Sequence, residues 1–504
     1  MVWMGRRLRG PELVVPQPVA GWADPDVFRW LALAGRVDVS GFELDWRADG
    51  VGGVPYDPRL MLVTVWWCYR RQIRSPQQMA VQCRDSVSLR MVWQRDQVPS
   101  AAALRRFVAG HDEGWRRVMV SLLAVCDQAE LVDLSVTATD STPMAAPAAL
   151  AKTSTAPRIT VLIDRLEQEL AEARASTARL AEQDPAGFVE SCDRLHRAEQ
   201  FLLVRLGRAR AAEAAARAVK TDLRDLRSSV ECWQDRVDRH TAELAAMRTR
   251  QQQACDAYQT KVAAGRKPQG AAPRAPDDHP HIRGKAEALR RAQARLAATR
   301  DTPTDRTRDG PARANLTDPG SRILKGKNTT TWVLGALLTL TVTTGQIILA
   351  GRLSRAGNDH PGLLPNLTET AATCTAAGIT QPFGHHLADN GFASTAVFNT
   401  PPPTGGTLLI AVTNEHDQTT SRQPTTHPDA HHQMAARLAT PEGHALYTRR
   451  SPMIEPVFAH LLRTDRHLHT RGTTSQHTET LALITSYNAH KYLHQHKPPI
   501  KIGN

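Results

Sequence analysis

Along the chain the spacing of apolar residues changes three times, and each change predicts a different kind of structure. Up to about Phe107 the spacing is helical. Val27-Phe28-Arg29-Trp30-Leu31-Ala32-Leu33-Ala34 follows Asp24-Pro25-Asp26, a capped start. After a break at Val51-Gly52-Gly53-Val54-Pro55, Tyr56-Asp57-Pro58-Arg59 opens a helix whose wide apolar face is Leu60, Met61, Val63, Trp66, Trp67 and Tyr69. Ser75-Pro76 opens another through Met79, Ala80 and Cys83, continued after a break by Val87, Leu89, Val92 and Trp93. Ser100, placed after Pro99, is the expected cap of a helix carrying Leu104, Arg105, Arg106 and Phe107.

The second pattern is alternation. Val132, Leu134, Val136 and Ala138 interleave with Asp133, Ser135, Thr137 and Thr139, the period of a strand with one buried face. The run is expected to stop at Asp140, before Ser141, Thr142 and Pro143. The third pattern, from about Arg158 to Arg266, is rich in Ala, Arg, Glu, Leu and Gln with helical spacing (Leu162, Leu166, Leu170; Leu195, Phe201, Leu202, Leu206; then Val219 to Met247). It predicts long amphipathic helices in a coiled-coil hairpin or bundle. A Pro/Gly/Ala linker at Pro268 to Pro280, a basic helix at Lys285 to Arg300 and a loop at Asp301 to Pro311 follow.

Strands then return, at Thr330 to Val342 and Gln346 to Leu353. Trp332 to Ala350 is uncharged and long enough to cross a bilayer. Its threonines and its division at Thr343-Thr344-Gly345-Gln346 instead predict a buried hairpin turning at Gly345. Leu363 to Ala377 is helix or loop, and the apolar stretch at His386 ends in Asp389. Thr407 to Val412 is another buried strand, and Thr413 to Pro441 reads as a polar, His-rich loop. A helix at about Pro452 to Arg466 has Glu455 in its first turn, and a final helix spans Thr478 to His494. The expectation is an α/β chain: a mixed sheet flanked by helices, interrupted by a long helical, coiled-coil-like insertion and preceded by an all-α domain. The boundaries are 1–128 for the N-terminal helical domain, 129–150 and 313–495 for the two parts of the core, 151–312 for the insertion and 496–504 for a tail.

Composition narrows the partners. The 504 residues carry a net charge of +13, which favours a polyanion. Charged residues at 22% and hydrophobic ones at 41% exclude a globally disordered chain. Seven dispersed cysteines without a CxxC pair read as reduced thiols, and the first residues lack the apolar core of a secretory signal, so the expected location is cytoplasmic. Short helices bearing exposed Arg105 and Arg106 suit DNA binding or, equally, a plain bundle with a solvated basic face.

Two acids at strand ends and one on a late helix are the donors that two-metal phosphoryl chemistry needs, because carboxylates are hard oxygen ligands for Mg²⁺ or Mn²⁺. Each has a plain alternative. Asp140 also reads as a turn or cap residue, Asp389 as part of an Asp-Asn-Gly turn, and Glu455 as a first-turn acid against the helix dipole. Asp133 lies toward the other end of its strand. The histidines His416, His427, His431, His432 and His444 lack cysteine partners and zinc spacing, which favours an exposed loop.

Several stretches resemble one family. Tyr56-Asp57-Pro58-Arg59-Leu60-Met61-Leu62, Arg74-Ser75-Pro76 and Gln97-Val98-Pro99-Ser100 are similar to the N-terminal part of the bacterial insertion-sequence transposases with a DDE core. Asp140-Ser141-Thr142, Leu316-Thr317-Asp318-Pro319-Gly320-Ser321-Arg322, Ala388-Asp389-Asn390-Gly391-Phe392 and Arg450-Ser451-Pro452-Met453-Ile454-Glu455-Pro456-Val457-Phe458-Ala459, preceded by Tyr447, resemble its remaining motifs. The resemblance implies a ribonuclease-H-like core with Asp140, Asp389 and Glu455 as a catalytic triad holding two Mg²⁺ or Mn²⁺ ions. It implies Tyr447 and Arg450 as DNA-phosphate contacts, to which Arg105, Arg106 and Arg463 are added as DNA-binding residues. The implied activity is cleavage at the ends of an insertion sequence and 3′-hydroxyl strand transfer into target DNA. The implied partners are terminal inverted repeats and target DNA, bound by a homodimer, nucleoid-associated and without a membrane. The chain departs from the family at Leu462, where a Lys is usual seven residues after the Glu, and at Trp332-Val333-Leu334-Gly335, where Gly-Tyr-Asn is common. A copy that binds DNA without cutting it is the alternative reading.

Overall fold

Where the sequence offers a cap, a helix starts. In the computed structural model, which describes residues 24, 26–44, 55–93, 98–224, 229–265, 271–300, 313–325, 332–355, 362–412 and 428–496, the Asp57 carboxylate accepts the Arg59 and Leu60 N–H groups at 2.7 and 3.4 Å. It thereby opens α2 (Pro58–Arg70), after α1 (Asp26–Ala34). α3 (Pro76–Asp85) and α4 (Val87–Trp93) follow. The Ser100 hydroxyl then accepts the Ala103 N–H at 3.2 Å and starts α5 (Ala101–Gly110), before α6 (Asp112–Gln128). The breaks expected at 51–54, Gln97, much of the 268–280 linker, the 301–311 loop, and His416 and His427 lie outside the described residues.

The described residues form two compact units, one up to Ser154 and again from Ala314, the other from Thr155 to Arg313. The second consists of α7 (Ala156–Gln183), α8 (Pro185–Arg224), α9 (Ser229–Ala263) and α10 (Pro280–Arg300). α7 and α8 pair antiparallel. Arg210 meets Glu167 and Arg174 meets Glu199, both at 2.7 Å, over buried Ile159, Ile163, Leu166 and Leu170 facing Leu206, Ala209, Ala212 and Ala216. α9 and α10 pair likewise, with Lys285 on Glu243 and Leu244 buried.

The first unit is mixed α/β. β1 (Val136–Ala145) is its central strand, and β5 (Trp332–Thr343) lies antiparallel beside it from Thr137↔Thr343 to Ala145↔Gly335. The strand does not stop at Asp140, because the longer β5 pairs with it as far as Ala145. It also begins five residues late, as Leu131 to Ser135 is irregular. All but the first two residues of β5 are buried, which explains its nearly continuous apolar run. β4 (Arg322–Lys325) pairs with the start of β5, and β6 (Ile348–Ser354) with its end. Short β2 (Thr153–Thr155) and β3 (Arg313–Asn315) form a separate ladder. On the other side of β1 run β7 (His385–Ala388) and β8 (Thr407–Ile410), both parallel to it. The sheet order is β4-β5-β1-β7-β8, with β6 also on β5. Gly335 is required where β5 meets β1, since a Cβ there would stand 1.8 Å from the Met144 carbonyl oxygen.

Trp332 to Ala350 is the expected buried hairpin, and among the described residues no helix is long and apolar enough to cross a membrane. Its turn is built differently, with Gln346 rather than Gly345 in the left-handed region (φ 63°). α11 (Leu363–Ala376) follows β6, and α12 (Thr395–Asn399) precedes β8. The segment expected to be a loop up to Pro441 contains α13 (Pro428–Ala439), whose Met434, Ala435 and Leu438 pack with Leu408, Ile410 and Val412. That apolar face is hidden in the sequence by neighbouring histidines. α14 (Pro441–Tyr447), α15 (Arg450–Leu461) and α16 (Thr473–His496) complete the unit. α16 is buried almost all round from Thr478 to Ala489 and packs on α2, α5, α6 and β6. One apolar core therefore runs from Val27 through the sheet to Leu493, and the expected boundary at residue 128 does not divide two cores.

Candidate active site

Asp140 and Asp389 owe their relation to strand register. β1 and β7 pair in parallel from Val136↔His385 to Thr139↔Ala388. The next residue on one strand is Asp140 and on the other Asp389, so the two acids occupy neighbouring positions where the parallel pairing ends. Adjacent strands are about 4.8 Å apart, which is the scale of this separation along the backbone. Asp140 is half-buried in mid-strand and its Oδ1 accepts the Ser141 N–H at 2.7 Å. Asp389 caps the single 3₁₀ turn Asn390–Phe392, its Oδ1 accepting the Gly391 N–H at 3.0 Å. The turn reading of Asp-Asn-Gly thus holds as local structure, whatever else the carboxylate does.

α15 lies against β1 and β5 through Met453, Ile454, Val457, Phe458 and Leu461. It starts at Arg450, earlier than the sequence indicates, so Glu455 is in the second turn and not the first. The dipole explanation of that acid accordingly falls. Glu455 is exposed, five residues from buried Arg450 and about 140° round the helix from it. Arg450 is aimed at the sheet. Its Nη1 donates to Asp140 Oδ2 at 3.3 Å, with side-chain exposures of 7% and 22%. The Tyr447 ring centroid is 5.9 Å from the Arg450 guanidinium carbon. Arg450, expected on DNA, is therefore a partner of Asp140, with Tyr447 beside it.

The remaining expected residues are spread out. Arg105 and Arg106 are exposed on α5, and Arg463 is exposed just beyond α15. Leu462, at the position usually held by Lys, is 2% exposed in the core. Asp133 is occupied in the loop before β1, accepting from the Ser135 N–H at 2.9 Å and the Thr344 hydroxyl at 3.1 Å, which lower its pKa. Of the described histidines from the expected loop, His431 is buried against Phe398 while His432 and His444 are exposed. Among the described residues no group of three or more His, Cys, Asp or Glu is gathered to hold a metal ion.

Three further polar residues were not singled out by sequence. His386, on β7, is buried with Nδ1 2.6 Å from the Thr137 hydroxyl. Its Nε2 is 2.6 Å from the Thr404 hydroxyl and 3.1 Å from the Gly405 carbonyl. A carbonyl only accepts, so the proton sits on Nε2, and burial pushes the ring's pKa down to about 4. Gln346 Nε2 donates to the Pro452 carbonyl at 3.2 Å. That carbonyl would normally accept from residue 456, which is Pro456 and has no N–H. Glu479 is fully buried on α16, and Arg74 meets it at 3.2 Å. An acid inside Thr478-Glu479-Thr480-Leu481-Ala482 was the signal for it, and Arg74 already stood in a family-like motif.

No curated protein and no solved structure matches the chain. One family model, described as the transposase DDE domain, matches residues 413–493, which include Tyr447, Arg450, Glu455 and Glu479. Over that segment the chain is similar to a transposase DDE domain, which supports a DDE transposase of the insertion-sequence type.

Proposed function

We propose that the chain cuts DNA at the ends of its insertion sequence and joins the freed 3′-hydroxyl to target DNA, using Asp140, Asp389 and Glu455. Water attacks the scissile phosphorus and the 3′-oxygen leaves. That 3′-hydroxyl then attacks a target phosphodiester, so each step breaks one P–O bond and makes another. The observation that carries the reading is the register setting Asp140 beside Asp389, joined to a family match that contains Glu455. An antiparallel β1-β5-β6 meander on one side of the central strand and parallel β7 and β8 on the other support a ribonuclease-H-like core. We read residues 151–312 as an insertion in it, and the exposed Arg105, Arg106 and Arg463, with Tyr447, as DNA contacts made by a homodimer.

Oxygen donors of this type suit two Mg²⁺ or Mn²⁺ ions. The arrangement described does not fit them as it stands. Asp140 is paired with Arg450, and no three ligating side chains are gathered among the described residues. The same pair and the buried Leu462 favour the second reading, a copy that binds DNA without cutting it.

Nicking of a duplex carrying the DNA that flanks the coding region separates the two readings. We expect Mg²⁺-dependent nicking by the wild type, and Asp140→Asn to abolish it while gel-shift affinity is retained. Binding without any nicking by the wild type would establish the inactive copy.

A further inference from the structure

Where α2, α15 and α16 meet, a cleft is rich in hydrogen-bond donors and nearly empty of acceptors. We propose that this cleft, lined by Arg70, Gln72, His460, Tyr487 and His490, binds a phosphate-type oxyanion. It lies apart from the carboxylates, at the end of α15 away from Arg450, about 15 Å along the helix axis. The site itself needs no metal ion, and only DNA as the source of the phosphate rests on the transposase reading above.

The acceptors in its walls are already engaged. α2 and α15 both end here, and a helix C-terminus by itself favours a cation. The Cys68 carbonyl, however, accepts from the Arg71 and Ile73 N–H groups at 3.0 and 2.9 Å, and the Tyr69 carbonyl from the Gln72 N–H at 2.9 Å. Gln72 Nε2 takes up the His460 carbonyl at 3.2 Å. The donors are not matched in this way. Arg70 Nε donates to His490 Nδ1 at 3.1 Å, and since arginine only donates, His490 carries its proton on Nε2. Among the described residues that N–H, the Tyr487 hydroxyl and the His460 ring meet no hydrogen-bond acceptor. The terminal nitrogens of Arg70 have only Asp26, which is 4.0 Å away and bonded at 2.8 Å to Arg29.

Charge points the same way. His460 and His490 stack with ring centroids 5.2 Å apart. Burial pushes both pKa values down, that of His490 to about 4. The charges that act with burial are cations: Arg463, Lys491 and Arg70 on His460, and Arg70 and Lys491, with the other histidines, on His490. Such a group, with one shared carboxylate at its edge, is short of an anion. The enclosed part of the cleft has a volume of about 10 Å³, the room of one water-sized oxygen. An oxygen of a phosphate lying across the mouth would fill it, and the planar fork of Arg70 suits the neighbouring oxygens. A base or a sugar is too large to enter.

The test uses two probes on the full chain. Inorganic phosphate is read as a rise in Tm over chloride at constant ionic strength, and a short duplex by gel shift. The wild type is expected to show a saturable stabilisation by phosphate. Arg70→Gln should weaken the apparent affinity about tenfold, and Tyr487→Phe, which removes one hydroxyl and keeps the ring, about threefold. Should Arg70→Gln lose its cooperative thermal transition, Tyr487→Phe decides alone. Duplex affinity lowered by both substitutions makes DNA the source of the phosphate, because loss of charge alone would not move Tyr487→Phe. Phosphate affinity lowered with duplex affinity unchanged makes a free phosphate the source. Phosphate and duplex affinities both unchanged in the two variants would overturn the site while leaving the transposase reading intact. A wild type that binds phosphate here and no duplex at all would overturn the DNA reading and leave the site standing.

Discussion

At the scale of single residues, His386 shows how burial sets a pH response. Its ring is neutral in the fold with a pKa of about 4, against 6.5 for an unperturbed histidine. A depressed pKa means that the unfolded chain takes up the proton first as pH falls. The stability it contributes is fully present above about pH 6.5 and is lost as pH drops through about 4, with a ceiling of about 3 kcal/mol. Urea unfolding of the wild type at pH 7.5 and 5 should show this loss. His386→Gln keeps an amide near Thr404 and cannot titrate, so its stability should change less between the same two pH values. An identical slope in both proteins would assign the response to other groups.

At the scale of elements, the turn between β5 and β6 is tied to α15 and α16 by one side chain. Gln346 donates to the carbonyl that Pro456 leaves without its helical partner, and its Oε1 accepts from Lys491 at 2.8 Å. Gln346→Ala should cost about 1–2 kcal/mol in urea unfolding, since it loses both bonds and leaves a Cβ at positive φ. Gln346→Gly should recover part of that by relaxing the backbone. Equal stabilities for alanine and wild type would mean that solvent already satisfies both groups. The elements also show what was legible. Alternation at Val136 and Ala138, and the apolar run of β5, were visible because burial dictates residue type along a strand. The ends of β1 were not, because pairing with β5 carries it beyond Asp140 through Ser141, Thr142 and Pro143, which look like a turn in isolation. Asp140, Asp389 and Glu455 could be chosen by motif. That Arg450 faces Asp140 could not, as nothing local to either residue encodes a contact between a helix start and a distant strand.

At the scale of the whole molecule, the N-terminal helices and the final helix are joined by a buried charge pair. Glu479 Oε1 meets Arg74 Nη2 at 3.2 Å, with side-chain exposures of 0% and 1%. Glu479 also accepts from the His469 N–H at 2.9 Å, and from the Thr470 N–H and hydroxyl at 2.9 and 2.8 Å. Removing one partner from a buried pair costs about 3–5 kcal/mol. Glu479→Leu takes the counter-charge from a buried guanidinium that keeps its Nη1 bond to the Asp465 carbonyl at 2.9 Å, and strands three donors, whereas Arg74→Met leaves a carboxylate that keeps those three bonds. Urea unfolding should therefore rank Glu479→Leu as the more damaging, and the reverse order would contradict the assigned network.

The nearly complete burial of α16 among helices built from the start of the chain has a consequence for synthesis. On the ribosome α1 to α6 emerge long before the segment that fills their centre, and must wait with apolar faces uncovered until Thr473 and the residues after it have been translated. A message truncated upstream yields a product lacking its keystone, exposed to proteases and unable to persist as a folded rival of the whole protein.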